Sequence, residues 1–174
     1  MGVRLLVVED ERELAAALRR GLGAEGFTVD LAALAQDVAS DFEGRGVAVS
    51  VQDDSLGGAL VEGNAVRLER MLRNLVDNAV RLADTAVVIS VIVEGGDAVA
   101  TVSDDGPGIA PADRERVFDR FTRLQDDRAR STGGSGLGLA IAREIADRHH
   151  GSLRVLEPVT GGATLAARLP VARQ

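Results

Sequence analysis

The stretch Gly133-Gly134-Ser135-Gly136-Leu137-Gly138 opens directly into a helical pattern, with Leu137, Ile141 and Ile145 spaced by four. Four glycines in six residues admit positive φ and let a ligand approach the backbone closely. The helix start behind them presents unpaired N–H groups and the positive end of a dipole, which together suit a phosphate. A flexible hinge is the alternative, but a hinge is expected to lead into polar linker rather than an amphipathic helix. The stretch therefore reads as a nucleotide loop. It is not a Walker A loop, which ends in Gly-Lys-Ser/Thr, because all 20 basic residues of this chain are arginine. Nor is it the dinucleotide fingerprint Gly-x-Gly-x-x-Gly, which follows a strand; residues 123–132 are polar and arginine-rich. The missing lysine also removes the strand lysine of eukaryotic-type protein kinases.

The rest of the composition narrows the class. A length of 174 residues suits one domain with an appendage. Aromatics make up only 2% of residues, so the core must be aliphatic. A net charge of -7 with so few rings argues against nucleic-acid binding. Without cysteine there is neither a disulfide nor a thiolate metal site. No apolar run approaches membrane-spanning length, and the first apolar run ends in Glu9-Asp10-Glu11, unlike a signal peptide. A cytoplasmic protein is expected.

Residues 3–8 are almost continuously aliphatic, the pattern of a strand buried on both faces. Residues 11–20 follow as a helix, and Phe27-Thr28-Val29 begins a second strand. This β-α-β opening resembles the start of a response-regulator receiver domain, including its acidic pair, here Glu9 and Asp10. Receivers place that pair beside a phosphoacceptor aspartate and a lysine, and neither partner exists here. Glu9 and Asp10 are read as a solvated strand end. Residues 1–29 are thus expected to form a receiver-like extension, with a second domain over residues 30–174.

In that second domain Asp30 is a helix cap for residues 31–42. Val47, Val49 and Val51 alternate as a strand, and residues 59–61 form a short one. Asn64 caps a long helix over residues 65–82, whose expected buried stripe is Leu68, Leu72, Leu75, Ala79 and Leu82. Strands are predicted at residues 86–93 and 98–102, a short helix from Pro111 to about residue 118, and a closing hairpin of residues 153–156 and 164–169. The alternation of helices with antiparallel-capable strands predicts an α/β two-layer sandwich.

On the long helix Arg70, Asn74, Asn78 and Arg81 lie three or four apart on a second face. A solvated face is the plain reading, yet two mid-helix asparagines are unfavourable by propensity. Amide oxygens can coordinate Mg²⁺ and an arginine can meet phosphate. Ser103-Asp104-Asp105-Gly106-Pro107-Gly108-Ile109 follows a strand and makes a tight turn. An aspartate there can accept a hydrogen bond from an adenine amino group.

The order of these elements resembles the catalytic, ATP-binding domain of bacterial sensor histidine kinases, which has the Bergerat ATP fold. The resemblance runs over residues 30–170. Asn74 to Arg81 matches the N box, Asp104-Asp105-Gly106-Pro107-Gly108 the first glycine box, and Val117-Phe118-Asp119-Arg120-Phe121 the F box at the start of a lid. Gly134-Ser135-Gly136-Leu137-Gly138 matches the second glycine box, and Gly161-Gly162-Ala163-Thr164 the last glycine-containing turn. The resemblance implies a mixed sheet with helices on one face and Mg²⁺-ATP as the ligand. Asn78 would coordinate the metal, Arg81 would contact phosphate, and Asp104 would read adenine. It also implies nucleotide contacts from Asn74, Gly106, Gly108, Ile109, Phe118, Gly134, Ser135, Gly136, Leu137, Gly138 and Thr164. Relatives of this fold that hydrolyse ATP carry a glutamate four residues before the Mg²⁺ asparagine. Here Asn74 stands there, and an amide cannot take a proton. Transfer to a separate acceptor is therefore expected over rapid hydrolysis.

Histidine kinases hold their acceptor histidine on a preceding dimerisation-phosphotransfer domain. The only histidines here, His149 and His150, follow the helix behind the glycine loop and are expected to cap its negative end. The implied partners are thus such a domain, supplied in trans or by a parent protein, and a response regulator. Two other functions are compatible with the same site: a non-catalytic ATP-gated interaction module, and a serine-directed kinase of the anti-sigma-factor type.

Overall fold

The computed structural model of the chain describes residues 27–122, 135–158 and 161–172. Residues 1–26, with the expected strand at 3–8 and the acidic pair Glu9 and Asp10, lie outside the described residues, as do Gly133 and Gly134.

Asp30 ends β1 (Phe27–Asp30) and opens α1 (Leu31–Ser40). Its carboxylate accepts hydrogen bonds from Ala32 N at 3.0 Å and Ala33 N at 3.2 Å, satisfying two donors that a helix start leaves without partners. The helix stops short of the expected residue 42, but Phe42 still buries in the turn that follows. Asn64 performs the same capping for α2 (Ala65–Leu82), taking Arg67 N at 3.0 Å.

Five strands form a mixed sheet. In chain order they are β2 (Ala48–Asp53), β4 (Ala86–Glu94), β5 (Asp97–Asp104), β6 (Ser152–Leu156) and β7 (Thr164–Pro170). In space the order is β2-β4-β5-β7-β6, with β2 and β4 parallel and the other pairs antiparallel. The register sets Val49 beside Val87, Ile89 beside Val102, and Ala100 and Leu153 beside Ala167. Because side chains alternate along a strand, these positions share one face. Three helices cover that face: α1 on β2 and β4, α2 on β4 and β5, and α3 (Gly138–Arg148) on β6 and β7. This is the expected two-layer α/β arrangement.

A second, two-stranded sheet pairs β1 antiparallel with β3 (Leu60–Gly63), and Val171 bridges to Val61 beside it. Phe27, Thr28 and Val29, expected as part of the extension, are thus strand partners of the domain that follows. Residues 111–118 form two 3₁₀ turns, Pro111–Asp113 and Arg116–Phe118, with Pro111 at the first position as expected.

The central helix buries more than one stripe. Leu68, Met71, Leu72, Leu75, Val76 and Ala79 are all enclosed, because α2 packs against α1 and α3 as well as the sheet. A single apolar stripe misses Met71 and Val76, and it overstates Leu82, which is only half-buried.

His149 ties the end of α3 to the start of α2. Its Nδ1 lies 2.7 Å from Ile145 O, and Asn64 N donates to its Nε2 at 3.3 Å. The ring thus caps the helix end, as expected, and also bridges it to the start of α2. His150 turns the chain at φ 59°, so that Gly151 N reaches Ala146 O at 2.9 Å and closes the helix end.

The same contact explains Gly63. A Cβ there would stand 2.4 Å from His149 Cδ2 and 2.6 Å from Nε2. Gly63→Ala should cost about 1–3 kcal/mol, the usual range for overpacking, read as a lower urea midpoint. In a His149→Ala background the same substitution should cost clearly less. Equal costs in the two backgrounds would show that the ring is not what limits position 63.

Candidate nucleotide site

The polar face of α2 runs between two glycine-rich segments. At its middle, Asn74 lies against the first residue of α3: its Oδ1 is 3.8 Å from where a Cβ on Gly138 would sit. Its Nδ2 is enclosed and has no hydrogen-bond partner among the described residues. Leu137, at the N-cap of α3, offers no side-chain oxygen to the helix start. Its carbonyl receives Ile141 N at 2.9 Å, so the N–H groups of the first turn have no partner within the helix. One turn further along α2, Arg81 Nη2 donates to Asn78 Oδ1 at 2.9 Å.

At the far end of α2 stands the turn that follows β5. Asp104 is 6% exposed. Its Oδ1 accepts from Gly106 N at 3.0 Å and from Ala163 N at 3.2 Å. Among the described residues no hydrogen bond reaches Oδ2. Burial pushes the carboxyl above its ordinary value, the two backbone N–H groups pull it back, and the charges of Asp105 and Asp84 add to the rise. A buried carboxylate with one oxygen uncommitted is the type of perturbed group that clusters at functional sites.

Glycine is required in this turn by contact. A Cβ on Gly106 would lie 2.3 Å from Leu82 O, and one on Gly108 2.7 Å from Gly162 O. Gly162 itself comes so close to Asp104 that a Cβ would fall 1.7 Å from Asp104 O. The exit of α2, residues 104–108 and residues 161–163 are thus packed backbone against backbone. Ile109 is half-buried beside them.

The structure separates Thr164 from this group. Thr164 is paired in register with Ser103, and their hydroxyls lie 3.0 Å apart. Asp104 points to the helix layer, so Ser103 and Thr164 face the opposite side of the sheet. Ala163 is the residue that meets Asp104, through its backbone N–H. Gly162 and Ala163 are therefore partners that motif matching passed over in favour of the threonine. No local pattern points to them, because the contact depends on the pairing of β5 with β7.

The F-box segment and the second glycine segment also meet. Phe118 is 5% exposed, with the Arg143 guanidinium 4.9 Å over its ring. Arg143 also pairs with Glu115 at 3.1 Å. Both contacts hold the segment against α3. Phe121 N donates to Gly136 O at 2.9 Å, and the Phe121 side chain is 74% exposed. Ser135 is exposed at the edge of this contact, and Leu137 is half-buried. Gly134 lies outside the described residues.

Comparison with known proteins gives the family of this fold. Residues 63–173 match the family described as histidine kinase-, DNA gyrase B- and HSP90-like ATPases. Over 143 residues the chain is 36% identical to the sensor histidine kinase RppB of Synechocystis, covering 79% of this chain and 32% of that protein. Over 117 residues it is 43% identical to the sensor protein RstB of Escherichia coli, covering 64% and 27%. The chain thus spans about a third or less of these relatives. Among solved structures, the histidine kinase domain of the E. coli osmosensor EnvZ superposes with a TM-score of 0.64 at 34% identity, over 84% of this chain and 89% of that one. The mycobacterial sensor histidine kinase MprB gives a TM-score of 0.71 at 28% identity, over 86% and 99%. The chain belongs to the histidine kinase-, DNA gyrase B- and HSP90-like ATPase family, as an ATP-binding catalytic domain of the sensor histidine kinase type.

Proposed function

We propose that the chain binds Mg²⁺-ATP and donates the γ-phosphoryl group to a histidine on a separate dimerisation-phosphotransfer domain. One observation carries this reading. A helix bearing Asn74, Asn78 and Arg81 is bracketed by a buried carboxylate at one end and by a helix N-terminus lacking a side-chain cap at its middle.

Asp104 Oδ2 accepts from the adenine amino group, on a turn that Gly106 and Gly108 allow to pack against Leu82 and Gly162. The N–H groups that open α3 and the Arg81 guanidinium receive phosphate oxygens. Among the described residues there is no cluster of three or more His, Cys, Asp or Glu side chains able to hold a metal. A single amide oxygen from Asn78, completed by waters and phosphate oxygens, is nevertheless the kind of ligand set Mg²⁺ accepts. When bound, the metal neutralises charge on the transferring phosphates. The enclosed Nδ2 of Asn74 is a donor without a partner among the described residues, and it suits an oxygen-rich ligand. Asn74 cannot act as a base, so hydrolysis is slow and the phosphoryl group awaits another acceptor.

That acceptor is not His149. Both of its ring nitrogens are engaged. It also lies eleven residues beyond Gly138, about 16 Å along a helix rising 1.5 Å per residue. Transfer needs reacting atoms about 3–3.5 Å apart. No described helix is long and apolar enough to cross a membrane, and we place the reaction in the cytoplasm with a response regulator as the final receiver.

Asp104→Asn should weaken ATP binding by about 10- to 150-fold, equivalent to roughly 1.5–3 kcal/mol for a hydrogen bond to a charged group. The parent should also lose affinity on acidification. The folded pKa lies above the unfolded one, so the folded chain takes up its proton first and the burial cost disappears as pH falls. The ionised acceptor disappears with it, at a pH above the ordinary aspartate range. Asp104→Asn supplies the baseline for the nucleotide's own titration. Calorimetry giving the two proteins the same affinity and pH profile would refute the role of Asp104.

With radiolabelled ATP the isolated chain should remain unlabelled. Added dimerisation-phosphotransfer domains should acquire acid-labile label that Asn78→Ala abolishes. Label on the chain itself, lost on replacing His149 and His150, would overturn the proposed direction of transfer. Tight ATP binding with no label on any acceptor would favour the non-catalytic ATP-gated module instead.

A further inference from the structure

We propose that Asp105 is a positioning residue: it locks the 104–108 turn onto the exit of α2 and thereby sets the span between Asp104 and the Asn78–Arg81 pair. The proposal rests on the ATP reading above and assigns work to the one acidic residue of the turn that has no contact with the base.

Asp105 is exposed, so burial does not account for its order. Its carboxylate instead collects donors from three consecutive residues, two in the connection between α2 and β4 and the third at the first position of β4. Oδ1 accepts from Asp84 N at 2.9 Å, Thr85 N at 3.0 Å and Ala86 N at 3.1 Å. Oδ2 accepts from Thr85 N at 3.0 Å and from the Thr85 hydroxyl. Successive backbone N–H groups converging on one anion make a concave positive site, and here the anion is supplied by the chain itself. The Thr85 hydroxyl, then the Thr85 and Ala86 N–H groups, hold the carboxyl far below the usual aspartate range.

The geometry gives this clamp a direction. Asp104 pairs in register with Val87, at the start of β4, and Gly106 rests on Leu82 O at the end of α2. Asp105 sits between these contacts and binds the connection joining them. Without it, the turn loses the carboxylate that ties it to residues 84–86. A ligand touching only Asp104 would tolerate a shift between them. A ligand that must reach Asp104 and the α2 side chains together would not.

The test compares a short ligand with a long one on the full chain. Adenosine reaches only the base end, whereas Mg²⁺-ATP spans both. Asp105→Ala should weaken Mg²⁺-ATP by at least about 10-fold while changing adenosine by less than about 3-fold, a difference of at least about 0.7 kcal/mol. Asp105→Asn should stay near the parent for both ligands. Its amide oxygen can keep the three bonds made by Oδ1, its NH₂ can donate to the Thr85 hydroxyl, which then accepts, and Thr85 N gives up only its second, shared bond to Oδ2. Thr85→Val, a milder change that keeps the carboxylate, should shift Mg²⁺-ATP in the same direction by a smaller factor. It serves if Asp105→Ala does not fold. Equal losses for adenosine and Mg²⁺-ATP, or none for either, would reduce Asp105 to an ordinary turn residue. Failure of Asp105→Asn to rescue would also overturn the clamp. A parent chain that binds neither ligand would instead defeat the ATP reading itself, and the proposal with it.

Discussion

Three backbone carbonyls leave no room for a side chain at Gly106, Gly108 or Gly162, and the site depends on that exclusion. The carbonyls of Leu82, Gly162 and Asp104 stand 2.3, 2.7 and 1.7 Å from where a Cβ would be. Real Cβ atoms do not approach so closely, so the exit of α2, the turn after β5 and the turn before β7 can meet only as bare backbone. Their meeting brings the N–H groups of Gly106 and Ala163 to one oxygen of Asp104. A carboxylate enclosed at that depth without donors would be expensive. With two donors on one oxygen it is held in place, and the other oxygen stays available.

Stability and site chemistry are carried by different parts of the molecule. Among the described residues the core is aliphatic apart from Phe42 and Phe118. The ion pairs, such as Arg114–Glu157 at 2.7 Å and Arg143–Glu115 at 3.1 Å, involve largely exposed carboxylates. Pairs of that kind contribute at most about 1 kcal/mol each. Their value is positional. Arg143 holds Phe118 and Glu115 to α3, and so keeps the F-box segment next to the helix whose N-terminus is the proposed phosphate site. Asp105 is proposed to act similarly at the other end of α2. The two ends of the site are therefore held by charged side chains at the surface, while the aliphatic core fixes the helices beneath them.

Much of this was legible in the residues. Caps are local, and Asp30 and Asn64 set the starts of α1 and α2 correctly because each needs only donors two or three residues ahead. Alternating valines located β2, and the glycine spacing located the turns. Legibility failed where an element has more than one neighbour. Met71 and Val76 are buried because α2 is flanked on three sides, which a one-stripe pattern cannot express. Residues 111–118 read as one short helix with Pro111 in its first turn, and they form two separate 3₁₀ turns instead.

By itself the sequence determined the element order, the helix starts, the aliphatic character of the core and the grouping of Asn74, Asn78 and Arg81 on one helix face. Each follows from spacing along the chain, which is fixed by covalent geometry. Tertiary structure alone decided which side chains meet across distant segments. It turned Thr164 away from Asp104 by pairing it with Ser103, and put the backbone of Ala163 there instead. It made His149 a bridge between the end of α3 and the start of α2, as well as a helix cap. It also gave Asp105 three consecutive N–H donors about twenty residues earlier in the chain. A side chain's direction, burial and charge depend on which strand lies beside it and which carbonyl faces it, and those are set only when the sheet has its order.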